Sequence, residues 1–450
     1  MALLRAIMKH PILSGLLAVS IGGIVVLSLI VMFMEQIKWL LADQFWFSVI
    51  LSLAIFGGVM TAVAYCILLE RKISAWIQDR YGPNRVGPLG LLQPLADGVK
   101  LLLKEDITPG HVDRALFVLA PFMMFVVALI GYAVIPWGGT FKWPWMNADA
   151  APLVAQVASI DIAVLYILAV GSMGVYGVVL GGWASNNKYA FYGAMRAAAQ
   201  MISYEIPLGL VVLTAIVTVG YLLPADQVMD CLRLEGAVAA QSHNGVWLVV
   251  YHPVAALLLF IAALAEANRA PFDLAECEQE LIGGFHTEYS AMKWAMFFLG
   301  EYAHMITSSA FMISLFWGGY TLPYCTELNT SGEWYWMLAR MGVFGAKIGV
   351  FIAAYMVVRW SLPRFRFDQL MRLAWKSFVP MGLLILAAQI LIVHFGWSQW
   401  LSPLVNLGVL VGGALVSLMS STPITGRQQS LLVREKATRE KEYELQHAGV

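Results

Sequence analysis

Residues 266–302 read EANRAPFDLAECEQELIGGFHTEYSAMKWAMFFLGEY. They hold seven acids (Glu266, Asp273, Glu276, Glu278, Glu280, Glu288 and Glu301) against two bases, Arg269 and Lys293. Apolar runs flank the segment on both sides. A carboxylate beside hydrocarbon is costly, so it must be paired, hydrated or protonated. With too few bases to pair them all, some of these acids are expected to share protons or to titrate above the usual carboxylate range. Groups that interact this closely titrate as a set, and a set of that kind suits proton or charge relay. An exposed acidic loop is the plain alternative, but Pro271, Phe272 and the apolar run at 281–285 speak for burial. Glu205 follows Ser203 and Tyr204 at the start of another apolar run and precedes Pro207. It belongs with the relay, or simply caps the first turn of a helix. Asp161, just inside the end of a further run, could be a cap of the same kind.

The second chemical region is 70–106, ERKISAWIQDRYGPNRVGPLGLLQPLADGVKLLLKED. Glu70 is followed at once by Arg71 and Lys72, bases that could serve only as topology anchors. Gly82-Pro83 and Gly87-Pro88 predict turns after a charged turn at 70, with Arg71, Arg80 and Arg85 nearby. Over 91–104, Leu92, Leu95, Val99 and Leu102 share one face, while Gln93, Asp97, Lys100 and Lys104 share the other. That spacing predicts an amphipathic helix lying in a membrane interface. A Gly/Pro-shaped backbone beside such a helix, lined by Gln78, Arg80 and aromatics, forms a slot for a hydrophobic ligand. Apolar walls come first and polar groups further in.

The elements that hold these residues are membrane helices. The chain has 450 residues, 60% apolar and 12% charged, with a mean hydropathy of +0.73. Soluble domains keep about a quarter of their residues charged, so this chain cannot clothe a globule in polar groups. Ten stretches reach the roughly 20 apolar residues a span needs: 12–34, 46–69, 116–136, 157–180, 205–223, 247–265, 298–321, 341–358, 377–396 and 401–420. The first follows Arg5 and Lys9 like a signal peptide, but its length and lack of a small-residue cleavage site make it a retained span. The expected fold is an all-α polytopic transmembrane bundle of about ten spans with an interfacial amphipathic helix. With the N-terminus inside, 23 Lys and Arg fall on inside segments and 4 on outside ones, with Lys347 inside a span. The positive-inside rule therefore puts both termini in the cytoplasm. Of the inside segments, 181–204 is small and polar, suited to close packing, and 360–376 is basic and aromatic. The tail, with Glu435 and Arg439 four apart, reads as a solvated surface.

Several classes are excluded. A formal net charge of zero argues against a nucleic-acid partner. There is no GxGxxG and no GxxxxGK[ST]. The four cysteines (Cys66, Cys231, Cys277 and Cys325) contain no CxxC pair for a local zinc or iron–sulfur site.

Together, the 70–106 and 266–302 stretches resemble the two signature regions of the H subunit of respiratory complex I, the proton-pumping NADH:quinone oxidoreductase. GGWASNNKYAFYGAMRAAAQMISYE and SLPRFRFDQLMRLAWK are similar to the same family, and the resemblance covers residues 46–396. It implies an eight-span core at 46–396, preceded by an extra span with its connector (1–45) and followed by another (397–426) and a charged tail (427–450). It implies that Glu70, Arg71, Gln78, Arg80 and the 82–90 turn line a quinone path, with Lys100 nearby. Glu205, Glu266, Asp273, Glu276, Glu278 and Glu288 would form an acidic relay, with Arg196 and Arg269 as counter-charges. Quinone is then the substrate. The resemblance further implies that this chain binds no flavin, nicotinamide or iron–sulfur cluster and that electrons would come from a cluster on a neighbouring subunit. The implied partners are hydrophilic quinone-site subunits and antiporter-like membrane subunits, in a bacterial inner membrane. Ala267 stands where the family often has Thr, a small departure. Three other classes fit the acids less well. A quinone-independent energy-converting hydrogenase or ferredoxin-linked subunit would leave the 70–105 slot without an occupant. A stand-alone ion antiporter calls for inverted repeats and broken spans. A purely structural anchor has no need of costly acids.

Overall fold

The computed structural model describes Gln36, residues 38–147, 149–275 and 278–420, and Arg434. The predicted span 12–34 lies outside the described residues, as do nearly all of the predicted tail and Glu276. The helices that matter are α1 (Gln44–Ile77), α2 (Gln93–Leu103), α3 (Arg114–Ile130), α4 (Ala163–Ala184), α5 (Lys188–Leu222), α6 (Leu234–Asn244), α7 (Pro253–Glu266), α8 (Ala291–Phe316), α9 (Trp334–Ser361), α10 (Val379–His394) and α11 (Ser402–Ser420). One two-stranded antiparallel ladder pairs Thr140–Phe141 with Leu153–Val154.

Six helices are long and apolar enough to cross a membrane: α1, α3 with its extension to Val134, α4, α5, α9 and the run Phe367–His394 that contains α10. Six of the ten predicted stretches fall on them. The stretches 247–265 and 401–420 fall on shorter apolar helices, Pro253–Glu266 and Gln399–Leu415. At 14 residues, α7 is about 21 Å long, short of the roughly 30 Å of a hydrocarbon core. Stretch 298–321 falls on α8, which has 26 residues but carries Lys293, Glu301 and His304.

Three local expectations change. The charged turn at 70 is absent, because α1 runs on to Ile77 and places Glu70, Arg71 and Lys72 within its last turns. The inside loop 181–204 is largely helix. Asn187 caps α5 by accepting from Tyr189 N at 2.9 Å, and the alanines that follow are the strongest helix formers. Glu205 therefore stands mid-helix, far from the dipole of a first turn. Asp161 caps nothing: the N-cap of α4 is Ile162, and Asp161 accepts from Arg233 Nε at 2.9 Å.

The close packing expected of 181–204 is present. A Cβ on Gly182 would stand 2.3 Å from that of Ala194, and one on Gly193 would stand 2.8 Å from the Gly284 Cα. Small residues thus let α4, α5 and the 284–286 turn touch backbone to backbone. At the centre lies α8, where every residue from Gly300 to Phe316 is buried except His304.

The loops sort to two ends. At the motif end, Ile107 N bonds Ser290 Oγ at 3.0 Å, Asn186 reaches His111 O at 3.2 Å and Phe365 N bonds Pro271 O at 3.2 Å. At the far end, Gln44 and Val154 exchange bonds at 3.2 and 2.9 Å. There Arg340 donates to the carbonyls of Leu328 (2.7 Å) and Thr140 (3.0 Å), and Lys347 to those of Trp317, Gly319 and Thr321 at 2.7, 2.8 and 2.7 Å. The helix beyond the resembling core, α11, is joined to it by buried polar groups. Asn406 Nδ2 lies 3.2 Å from His252 Nδ1, and Ser402 donates to Gln389 Oε1 at 2.9 Å.

Candidate functional site

The first acidic group forms where four elements meet at the motif end. It comprises Glu70 of α1, Glu301 and Tyr302 of α8, Arg359 near the end of α9 and Arg269 from the loop after α7. Glu70, Arg269 and Glu301 are 8%, 6% and 4% exposed. Glu70 accepts hydrogen bonds from the Tyr302 hydroxyl and the Arg359 guanidinium. Arg269 lies 3.9 Å from Glu70 and 3.6 Å from Glu301. Its guanidinium rests 4.0 Å from the Tyr302 ring centroid and 5.4 Å from that of Phe298, a cation–π contact that strengthens as water is excluded. Asn268 takes up a left-handed turn, φ +49°, to which asparagine is better suited than most residues. Buried Gln200 holds that turn, donating to Ala265 O at 2.8 Å, Asn268 Oδ1 at 3.3 Å and Phe272 O at 2.7 Å. A buried ion group survives only with such geometry, since an unmatched charge there costs several kcal/mol.

Two other acids of the segment, Asp273 and Glu280, meet arginines from elsewhere in the chain. Asp273, 5% exposed, accepts from Arg364 at 2.9 Å, while Phe272 stacks on Phe365 with centroids 5.4 Å apart. Arg196 pairs with Glu280 at 2.6 Å, partly exposed, and so is not drawn towards Glu205 or Glu266. Glu288 accepts from Asn187 at 2.6 Å, and Lys293 meets Asp106 at 3.0 Å. Exposed pairs of this kind contribute little stability. Glu278 opens a short helix, Glu278–Leu281. Tyr289, stacked on Phe117 with centroids 4.0 Å apart, has its phenol pushed above the ordinary range by burial.

The second acidic group is different. Glu205 of α5 lies within reach of the charge of Glu266, the last residue of α7. Among the described residues, no Lys or Arg lies within ion-pair distance of either. Instead, His304 Nε2 of α8 stands 3.6 Å from Glu266 Oε1. A cavity of about 40 Å³ adjoins them, bounded by Gly171, Leu208, Thr307 and Ser308.

The residues expected to line the ligand slot divide. Glu70 joins the arginine group. Arg71 pairs with Asp97 at 2.7 Å. Gln78 and Arg80 bond each other at 2.7 Å on the exposed surface, where Lys100 also lies. The turn between them depends on glycine: Gly90 has φ +77°, and a Cβ there would come 2.2 Å from Pro83 O. Two apolar grooves flank α1. One, of about 630 Å³, runs between α1 and α9 past Gly58, Tyr65, Gly345 and Ile348 to Lys72 and Leu91. The other, of about 210 Å³, lies between α1, α2 and α8, lined by Ile67, Asp97, Leu101, Leu102, Phe298 and Leu299.

Sequence reasoning missed Gln200, Tyr302, His304, Arg359 and Arg364 as site members. The GEY triplet at 300–302 and the basic run at 359–366 were visible, but their pairing is long-range. Among the described residues, no cluster of three or more His, Cys, Asp or Glu is placed to hold a metal.

Six helices long and apolar enough to cross a membrane, packed around two acidic groups, define a helical membrane protein. A family model described as NADH dehydrogenase matches residues 50–390. An NADH-quinone oxidoreductase H subunit of Cytophaga hutchinsonii, the one numbered 1, is 45% identical over 335 residues, 74% of this chain and 93% of that protein. The NADH-quinone oxidoreductase H subunit of Leptospira biflexa is 44% identical over 355 residues, 77% and 96% of the two chains. That of Rickettsia prowazekii is 44% identical over 326 residues, 72% and 87%. The chain belongs to the family of NADH-quinone oxidoreductase H subunits.

Proposed function

We propose that the chain is the membrane subunit of a proton-translocating NADH:quinone oxidoreductase that admits quinone from the bilayer and passes the charge of its reduction to buried carboxylates. One observation carries this reading. The groove between α1, α2 and α8 opens at exposed Leu102, 67% accessible, and runs to Phe298, whose ring lies against Arg269. A lipophilic ligand following it would leave hydrocarbon walls and arrive at charged groups. Exposed Leu95 and Leu102 on α2 suit a helix in the membrane interface at the mouth of that groove. Gln78, Arg80 and Lys100 stand at the aqueous rim, where a hydrophilic partner carrying the electron donor would complete the site. Exposed Trp183 and Tyr192, 64% and 59% accessible, fit such a covered surface. In this reading 46–396 is the working core, with 1–45, 397–426 and 427–450 as additions. The motif end faces the cytoplasm of a bacterial inner membrane, with both termini on that side.

Quinone reduction takes up two electrons and two protons, and negative charge on the head group acts over a long range in a low dielectric. Arg269 and Arg359 are permanently charged and can only answer that charge in place. Glu205 and Glu266 can respond by moving a proton, and that displacement is passed to antiporter-like partners. The test is to replace Glu205 or Glu266 with Gln in the assembled complex and measure quinone reductase activity and proton pumping together. Pumping should fall in both variants, and wild-type pumping in both would sink the relay.

A further inference from the structure

We propose that His304 is the proton partner of Glu266, the two exchanging a proton through water held in the cavity beside them. The inference rests on the relay reading and names one transfer within it. Three observations converge. The Nε2 of His304 is buried and has no hydrogen-bond partner among the described residues, although it points at Glu266 Oε1 from 3.6 Å. That separation is too long for a direct bond. The adjoining cavity of about 40 Å³ exceeds the roughly 10–15 Å³ a water needs, and its walls include polar groups. A water about 2.8 Å from each atom closes the gap. Thr307 and Ser308 line the same cavity. Their hydroxyls donate to backbone carbonyls, Thr307 to Ala303 O at 3.0 Å and Ala128 O at 3.2 Å and Ser308 to Met305 O at 3.2 Å.

The surrounding charges give the transfer its sense. Glu205 of α5 and Tyr355 of α9 lie within reach of the charge of Glu266. Two neighbouring carboxylates resist being ionised together. If Glu266 gives its proton to His304, the group passes from one carboxylate and a neutral pair to two carboxylates and an imidazolium. Net charge is unchanged and no bond other than O–H and N–H is made or broken. Only histidine can play this part near neutral pH. Gly171 keeps the site open, since a Cβ there would stand 3.0 Å from Glu266 Oε1.

The test compares His304→Asn and Gly171→Ala with Glu266→Gln in the intact complex, with assembly checked by subunit content. His304→Asn keeps a polar amide but cannot carry the proton. Pumping-coupled turnover should drop by about a hundredfold, the lower end of what a positioned proton carrier contributes. In redox-difference infrared spectra, the wild-type complex should show paired carboxylic-acid and imidazole bands that vanish together in this variant. Gly171→Ala removes neither group, favours the helix and crowds the carboxylate, so it should lower pumping even if His304→Asn fails to assemble. Wild-type pumping in Gly171→Ala, or in His304→Asn while Glu266→Gln is impaired, would overturn the role of His304 and leave the relay standing. Wild-type pumping in Glu266→Gln as well would instead overturn the relay.

Discussion

The two acidic groups lie against the same helix, one turn apart on α8, yet they are opposites in charge chemistry. Around Glu70 and Glu301 stand Arg269 and Arg359: two acids, two cations that never release a proton. Around Glu205 and Glu266 stands one imidazole. Among the described residues, the first group sets permanently charged guanidiniums against its acids, an arrangement suited to holding charge in place. The second is neutral only if it holds protons, so its state can move. In the relay proposed above, the kind of counter-charge matters more than the number of acids in a segment. The far end adds a third arrangement, in which Arg340 and Lys347 are satisfied by backbone carbonyls alone. There a cation ties loops together and no acid is involved.

Three substitutions test the contrast. The largest effect is expected from Arg269→Met, which leaves two buried carboxylates facing one cation. Breaking a buried pair in this way costs about 3–5 kcal/mol, so the subunit should be largely missing from the purified complex and the remainder should inactivate at lower temperature. Normal assembly with lost pumping would mean that the arginine group moves charge rather than fixing it. Arg359→Gln should cost less, about 1–3 kcal/mol, because Glu70 keeps Tyr302 and Arg269. Thermal inactivation of the complex measures it, and a loss equal to that of Arg269→Met would show that the group behaves as a single unit. Smallest in stability is Arg80→Ala, within about 0.5 kcal/mol for an exposed side chain. Quinone turnover should nonetheless weaken while NADH oxidation by an artificial acceptor stays normal. Equal loss of both would point to assembly instead.

How much of this was legible beforehand can be judged residue by residue. The apolar runs announced the helices, since period and length are local properties. The ends of those helices were less visible. Glu70 reads as the edge of a span because charge follows it, yet packing carries α1 seven residues further. Ala190, Ala194 and Ala197 read as a packing surface, which they are, but the helix that bears them begins at Lys188 and swallows the expected loop. The acids 266–301 looked short of bases because Arg364 and Arg196, which meet Asp273 and Glu280, lie 91 and 84 positions away in sequence, beyond any local count.

By itself, the sequence determined the membrane class, the placement of most helices, the two signature segments and the identity of the groups that carry charge. These follow from composition and short-range spacing, which survive any folding. Only the tertiary structure decided which acid meets which cation. It paired Asp273 and Glu280 with Arg364 and Arg196, set Glu70 between Arg269 and Arg359, and set His304 beside Glu266. The physical reason is range. Apolar patterning acts within one helix, whereas a buried charge is satisfied by whatever the packing of several helices brings within about 4 Å, and that distance is written nowhere in the order of residues along the chain.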